Sequence, residues 1–286
     1  PAQLQGLSIT PPANSDADFT LTVAATSSEG GTSATTTQTL SVTVNAVADA
    51  PSVTVAPARG GEDSPIALGI DVALTDSSET ISNITVSGVP AGASLSAGTD
   101  NGNGTWTLTP AQLQGLSITP PANSDADFTL TVAATSSEGG TSATTTQTLS
   151  VTVNAVADAP TVTVAPATGG EDSPIALGID VALTDASETI SNITISGVPN
   201  GATLSAGTDN GNGTWTLTPA QLQGLSITPP VNSDADFTLT VAATSSEGGT
   251  SATTTQTLSV TVNAVADAPT VTVAPATGAE LSLIHI

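Results

Sequence analysis

The chain carries 25 carboxylates against a single Arg and no Lys or Cys. Several of these acids stand in short loops, and the phrase VNAVADAP at residues 153–160 sets Asn154 and Asp158 in an otherwise apolar connection. Calcium binds through six to eight carboxylate, amide and carbonyl oxygens at roughly 2.3–2.6 Å. The residue types therefore indicate a divalent-cation site, whereas the thiolate and imidazole ligands of zinc and copper sites are not expected.

The phrase belongs to a repeat with a period of 109 residues. Residues 1–51 are identical to 110–160, and the segments 52–160 and 161–269 differ at seven positions. A period of this length is that of a whole domain. We therefore predict the C-terminal part of a first repeat at 1–49, complete repeats at 50–158 and 159–267, and the start of a further repeat at 268–280. Since the sequence begins inside a repeat and without Met, we expect a fragment of a longer chain.

The last six residues, LSLIHI at 281–286, leave the repeat register. They read as the translation of a transposon end used in sequencing libraries, so we interpret them as an assembly artefact and exclude them from fold reasoning. The single His of the chain, His285, falls inside this segment. No metal-binding or catalytic role is therefore expected of it.

Apolar and polar residues alternate through most of each repeat. One such run places five apolar residues on one face of a predicted strand: Ile66, Leu68, Ile70, Val72 and Leu74. Period-two alternation predicts half-buried antiparallel strands, and the turn signals GGEDSP, DNGNG and SSEGG separate them. About seven or eight such strands in a repeat predict an all-β fold of tandem immunoglobulin-like β-sandwiches, joined end to end as a rod. TPAQLQGL is expected to make one helical turn, and the pattern leaves open whether LSIT at 225–228 adds a strand.

Strand direction places the acidic loops at the two ends of the predicted sandwich. The loops after the first strand and before the penultimate strand reach its C-terminal end, and the loop after the second strand reaches its N-terminal end. Acids of two neighbouring repeats would therefore meet at each connection. Between the complete repeats the candidate metal ligands are Glu62, Asp63, Asp125, Asp127, Asn154, Asp158, Asp185 and Glu188. The period adds Asp16, Asp18, Asn45, Asp49, Asp76 and Glu79 at the preceding connection, and Glu171, Asp172, Asp234, Asp236, Asn263 and Asp267 at the following one.

Each of these assignments has a simpler alternative. The acids could be solvated loop residues that keep the chain soluble. Asp100 in DNGNG and Glu138 in SSEGG are expected to be turn residues. Trp106 and Trp215 could form a sugar-binding platform, but one Trp per repeat on an alternating strand favours a core position. Asp71 is expected to be a surface charge that discourages edge pairing.

Four phrases together resemble the cadherin-like tandem repeats of giant bacterial adhesins exported by type I secretion, the repeats-in-toxin class: VNAVADAP, GGEDSPIAL, GVPAGASLSAGTDNGNGTWTLTP and FTLTVAATSSEGG. The resemblance covers residues 1–280. It implies β-sandwich extender domains on the extracellular bacterial surface, with calcium at the junctions and a distal ligand-binding region elsewhere. The linker NAVADAP and the loop LTDASE carry fewer acids than the cadherin pattern, which implies about one or two ions per junction.

The composition restricts the partners. A formal net charge of −24 makes nucleic acid and anionic membranes unfavourable, and without a long apolar run no membrane insertion is expected. The expected partners are the neighbouring repeats and calcium ions. We predict structural spacer repeats of an adhesin stiffened by calcium, with a glycan- or surface-binding module acting through avidity as the alternative. An enzyme is not expected, since only paired carboxylates could act and no cleft is indicated.

Overall fold

The computed structural model describes residues 5–280, so the segment 281–286 with His285 lies outside the described residues. The chain divides into two compact units, one ending at Val156 and the other beginning at Ala157. Within the described residues, no helix is long and apolar enough to cross a bilayer.

The first unit opens with a β-hairpin made of β1 (Phe19–Glu29) and β2 (Thr32–Val42), which form a two-stranded antiparallel sheet of their own. Eleven strands follow within the repeat that begins at residue 50. They are β3 (Ser52–Ala56), β4 (Ala58–Gly61), β5 (Ile66–Ala67), β6 (Gly69–Ala73), β7 (Thr80–Ser87), β8 (Ser94–Leu95), β9 (Thr99–Gly102), β10 (Thr105–Leu108), β11 (Ser117–Thr119), β12 (Phe128–Glu138) and β13 (Thr141–Asn154).

These eleven strands form three sheets. A six-stranded sheet has the order β4-β13-β12-β7-β10-β9, a three-stranded sheet has the order β5-β11-β8, and β3 pairs with β6. All pairings are antiparallel except that of β4 with β13, which runs parallel from Ala58 opposite Val151 to Gly61 opposite Asn154. The structure is an all-β sandwich, as the alternating pattern predicts.

The core follows from that alternation. Along β12 every second side chain points inward, so Leu130, Val132 and Ala134 are fully buried while Thr131 and Ala133 between them are only partly buried. The inward residues of β7 and β11 meet them, with Ile84 and Ile118 also fully buried. Burial of a branched apolar side chain contributes roughly 1.5–3 kcal/mol, so this row of side chains is the main source of stability.

The second unit repeats the arrangement. Its six-stranded sheet has the order β15-β24-β23-β18-β21-β20, its three-stranded sheet β16-β22-β19, and β14 pairs with β17. The strands are β14 (Thr161–Ala165), β15 (Ala167–Gly170), β16 (Ile175–Ala176), β17 (Gly178–Ala182), β18 (Thr189–Ser196), β19 (Thr203–Leu204), β20 (Thr208–Gly211), β21 (Thr214–Leu217), β22 (Ser226–Thr228), β23 (Phe237–Glu247) and β24 (Thr250–Asn263).

The predicted continuous strand over 66–74 is wrong. The chain changes sheets at Leu68, whose amide donates to the Leu116 carbonyl at 2.9 Å, so β5 and β6 belong to different sheets. This division, with a similar one between β3 and β4, raises the number of strands in the repeat to eleven, where the sequence predicts seven or eight. LSIT does contain a strand, β22, and the expected helical turn is a 3₁₀ turn at Pro110–Leu113. Asp71 is exposed on β6, as expected of a surface charge.

Candidate cation-binding site

The linker that precedes β3 is held by the acidic loop between β6 and β7 and by the end of the β12–β13 hairpin. The amide of Asp49 donates to the carboxylate of Glu79, and the carbonyl of Asp49 accepts the hydroxyl of Ser136. The amide of Ala48 donates to Thr141 Oγ1 at 2.7 Å. Polar groups from two distant segments of the sequence therefore fix the backbone of a connection that has no regular secondary structure.

The acidic loop between β6 and β7 buries two carboxylates. Asp76 is 8% exposed and Glu79 only 3%. The loop is closed by Ser78, whose amide donates to Asp76 Oδ1 at 3.0 Å. Glu79 Oε1 accepts the linker amide, whereas Glu79 Oε2 has no hydrogen-bond partner within residues 5–280. An unsatisfied buried polar atom costs roughly 1–3 kcal/mol, and more when it is charged.

An open cavity of about 280 Å³ lies against this linker, and we call it the linker cavity. Its lining includes four carboxylates and two side-chain amides: Asp16, Asp49, Asp76, Glu138, Asn14 and Asn45. The chain has no Lys, and its one Arg, Arg59, is not among the lining residues. Negative oxygens that no basic side chain compensates form the type of ligand set that a hard divalent cation prefers.

Glu138 is the one acidic residue of this cavity that the sequence reasoning assigned only to a turn. Strands of eleven or more residues carry the β12–β13 hairpin far beyond the core, so its end reaches the linker. The approach is close, since a Cβ added to Gly139 would lie 2.6 Å from Ala46 Cβ. The strand length of this hairpin is the signal that could have identified Glu138.

The second unit contains the equivalent side chains 109 residues later. The amide of Asp158 donates to the carboxylate of Glu188, and Ser245 donates its hydroxyl to the Asp158 carbonyl. A carboxylate oxygen of Asp185 lies within 4.8 Å of one of Glu247. Among the described residues, Glu188 Oε2 and Glu247 Oε2 have no hydrogen-bond partner. The acidic loop and the hairpin end therefore approach each other here as well.

Asp185 is held in its ionised form. The Ser187 hydroxyl donates to Asp185 Oδ2 at 2.5 Å, and the Ser187 amide donates to Oδ1 at 3.0 Å. These bonds, the hydroxyl first, lower the pKa of Asp185 below its usual value of 3.8 and outweigh the opposing effect of burial. The negative charge of this group therefore persists well below neutral pH.

Near the C-terminal end of each repeat, most candidate acids accept backbone amides. Glu62 Oε1 accepts the Val156 amide and Glu171 Oε1 the Val265 amide, both at 2.8 Å. The other pairs are Asp18 with Val44, Asp127 with Val153, Asp236 with Val262, Asp63 with Asn123 and Asp172 with Asn232. These carboxylates hold the backbone of the linker, of the last strand or of a neighbouring loop, so one oxygen of each already has a structural role.

The remaining candidates are surface residues. Asp125, Asp234, Asn154, Asn263 and Asp267 are exposed. The structure thus brings Asp16, Asn45, Asp49, Asp76 and Glu79 to one region of the first unit, and Asp158, Asp185 and Glu188 to one region of the second.

Comparisons with known proteins give likenesses of structure only. No protein-family model matches the chain, and no curated protein matches it. Drosophila N-cadherin EC1-4 superposes with a TM-score of 0.29 and 16% identity over 87% of this chain, which spans 59% of that structure. The titin domains z1z2 in complex with telethonin give 0.31 and 13%, covering 77% of this chain and 100% of theirs. An endo-fucoidan hydrolase of glycoside hydrolase family 107 gives 0.25 and 20%, over 90% of this chain and 35% of its own. At these TM-scores none of the likenesses supports an argument about function.

Proposed function

We propose that this chain is a series of structural spacer repeats from a bacterial cell-surface adhesin, and that calcium bound at the linkers stiffens the array. The two units are built alike, and the linker sequences between repeats are almost unchanged. A repeated sandwich with conserved spacing suits a spacer, because each added copy adds length without new chemistry. The resemblance of the linker phrases supports the bacterial surface.

One observation carries the calcium part of the proposal. Glu79 is only 3% exposed, and its Oε1 accepts the amide of Asp49. Its Oε2 has no hydrogen-bond partner within the described residues. A carboxylate in this position is unfavourable unless a cation compensates it. Glu79 is not itself among the lining residues of the linker cavity. Asp49, whose amide it accepts, and Asp76 of the same loop do line that cavity, so a cation beside this loop would have several oxygens within reach.

The mechanism is a restriction of linker motion. Without an ion, the carboxylates around the linker repel one another, since unit charges about 4 Å apart interact by about 4 kcal/mol at an effective dielectric constant near 20. A bound cation reverses the sign of that interaction and holds the linker to the acidic loop and the hairpin end. Extracellular calcium modules have dissociation constants of about 10⁻⁴–10⁻³ M, so the array would be flexible before export and stiff outside the cell.

The test compares the chain in calcium with the chain in chelator, using small-angle X-ray scattering and thermal unfolding. Calcium should lengthen the particle and raise Tm, since a ligand at 100 times its Kd stabilises the folded state by about 2.7 kcal/mol. Asp158→Ala should remove most of the effect at its linker and leave the sandwiches folded.

Glu79→Gln provides a sharper variant, because it removes the charge while preserving the shape of the side chain. It should abolish the calcium response at this linker. Asp71→Asn is the matched control, since Asp71 is an exposed acid on β6 away from the linker cavity. Identical scattering and Tm with and without calcium would contradict the calcium proposal and leave the acids as solvating surface charges.

A further inference from the structure

Each complete repeat contains a second cavity, at the edge of its sandwich and separate from the linker. In the first unit it has a volume of about 450 Å³ and is lined by the loop 89–93 together with Asp100, Asn103 and Trp106. In the second unit it has about 540 Å³ and is lined by the loop 198–202 together with Asp209, Asn212 and Trp215. We call these the edge cavities. Their lining residues correspond one to one at the 109-residue period.

The cavity lies between the loop 89–93 and the β9–β10 hairpin. β9 is the last strand of the six-stranded sheet, and the loop 89–93 leads from β7 of that sheet to β8 at the edge of the three-stranded sheet. The Val89 amide donates to the Gly104 carbonyl at 3.1 Å. A Cβ on Gly104 would lie 2.5 Å from the Val89 carbonyl oxygen, so only glycine permits this contact. The hairpin turn and the loop are therefore locked together, and the cavity is preformed.

Trp106 gives the cavity an aromatic wall. Its side chain is half-buried and packs against the core, as the sequence indicates, while it also lines the cavity. Asp100 stands directly opposite Trp106 in the β9–β10 register, so both side chains lie on the same face of the sheet. Asp100 Oδ1 accepts the Gly102 amide at 2.8 Å, which orients the carboxylate. Trp215 and Asp209 are paired in the same way.

We propose that each edge cavity binds one neutral sugar residue of a glycan. An indole surface packs against the C–H face of a sugar ring, and a carboxylate accepts hydrogen bonds from adjacent hydroxyls. The peptide groups and the Asn side chain that make up the other walls both donate and accept, as sugar hydroxyls do. The net charge of −24 disfavours an anionic ligand, and a single Trp does not form the aromatic cage typical of ammonium ligands. Equivalent cavities in successive repeats would bind an extended glycan with avidity.

One difference between the cavities provides an internal comparison. Ala91 lines the edge cavity of the first unit, and Asn200 occupies the equivalent position in the second. An extra amide can form an additional hydrogen bond with a sugar hydroxyl. The second unit should therefore bind about fivefold more tightly, the effect of one neutral hydrogen bond of about 1 kcal/mol. Asn200→Ala should remove the advantage and Ala91→Asn should confer it.

The two Trp residues of the chain each line one edge cavity, so their intrinsic fluorescence responds to a ligand bound there. The full chain is first applied to a glycan array, and the sugars of the bound glycans are then titrated in solution. Trp106→Phe and Trp215→Phe assign the signal to one unit each. We expect a saturable fluorescence change with a neutral sugar.

Asp100→Asn with Asp209→Asn should abolish that change, and the paired control Asp71→Asn with Asp180→Asn, at exposed acids on β6 and β17, should retain it. The sugar proposal is wrong if no glycan binds, if the cavity variant binds unchanged, or if choline produces the response and sugars do not. The spacer proposal is tested by the calcium dependence of particle length and Tm, whereas these experiments measure sugar binding. Either proposal can therefore fail without the other.

Discussion

The hairpins β1–β2 and β12–β13 have the same amino-acid sequence and different surroundings. Both pair in the same register, Phe19 opposite Val42 and Phe128 opposite Val151, through to the turn. β1 and β2 form a sheet by themselves, whereas β12 and β13 lie inside a six-stranded sheet. Leu40 is 55% exposed and Leu149, its counterpart, is 1% exposed.

The difference separates what is local from what is tertiary. Turn chemistry and alternation are sufficient to set the hairpin and its register, because these are unchanged in β1–β2. The burial of the side chains and the length of the second strand depend on neighbouring strands. β2 ends at Val42, but β13 continues to Asn154 because β4 pairs with its final four residues. The same sequence therefore has a longer strand where it has a parallel neighbour.

The largest expected effect comes from truncating equivalent core positions. Leu149→Ala should cost about 2–5 kcal/mol, since it leaves a cavity in a packed core, while Leu40→Ala should change stability by less than about 0.5 kcal/mol. Urea unfolding followed by circular dichroism measures both variants, and in the Trp215→Phe background Trp106 reports on the sandwich that contains Leu149. Equal costs for the two substitutions would show that β1–β2 is buried in solution.

An intermediate effect is expected at the hairpin turns. Gly30 and Gly139 both have positive φ, at 57° and 52°, so alanine is strained at each by about 1–2 kcal/mol. A Cβ meets nothing within 4 Å at Gly30, but at Gly139 it would lie 2.6 Å from Ala46 Cβ. Gly139→Ala should therefore also displace the linker and weaken calcium binding, while Gly30→Ala should not. Calcium titration by calorimetry measures the affinity of each variant. Indistinguishable isotherms would show that the approach of Ala46 to Gly139 does not affect calcium binding.

The smallest effect is expected in the second unit, in the acidic loop between β17 and β18. This loop lies near the end of the β23–β24 hairpin, whose turn has the same sequence as that of β1–β2. Glu29 at the end of β1 is exposed, whereas Glu247 at the end of β23 has Asp185 nearby. Because the folded pKa of Asp185 is lowered, its contribution to stability is present above the unfolded value of 3.8 and is lost as the pH falls through the folded pKa. Ser187→Ala should move that pKa back toward 3.8 and flatten the loss of stability in acid. Unfolding curves across this range measure it, and an unchanged profile would assign the acid sensitivity to other carboxylates.

Much of the fold could be predicted from the sequence. Alternation identified the face of β12 that is buried, and DNGNG identified the β9–β10 turn, where Asn103 has a positive φ of 53°. The division of the strand at Leu68 could not be predicted, since a chain that crosses between sheets keeps the same apolar period on both sides. Period alone gives no information about which sheet a strand joins.

The candidate site was only partly predictable. The 109-residue period located the acidic loops, including Asp76 and Glu79, because the same loops recur at that interval in the sequence. It did not distinguish exposed acids that accept a backbone amide, such as Asp127, from Glu79, which also accepts an amide but is buried with its second oxygen unsatisfied. That distinction depends on how deeply each loop is buried, which is a property of the folded backbone.

The parallel pairing of β4 with β13 has a mechanical consequence. β4 lies near the start of its repeat and β13 at the end, and they run side by side in the same direction. Tension on the two ends of the repeat pulls these strands in opposite directions along their length, so their hydrogen bonds are loaded together instead of opening one after another. The resistance of the repeat to force would therefore depend on this short pairing, and the sandwich would unfold once it broke.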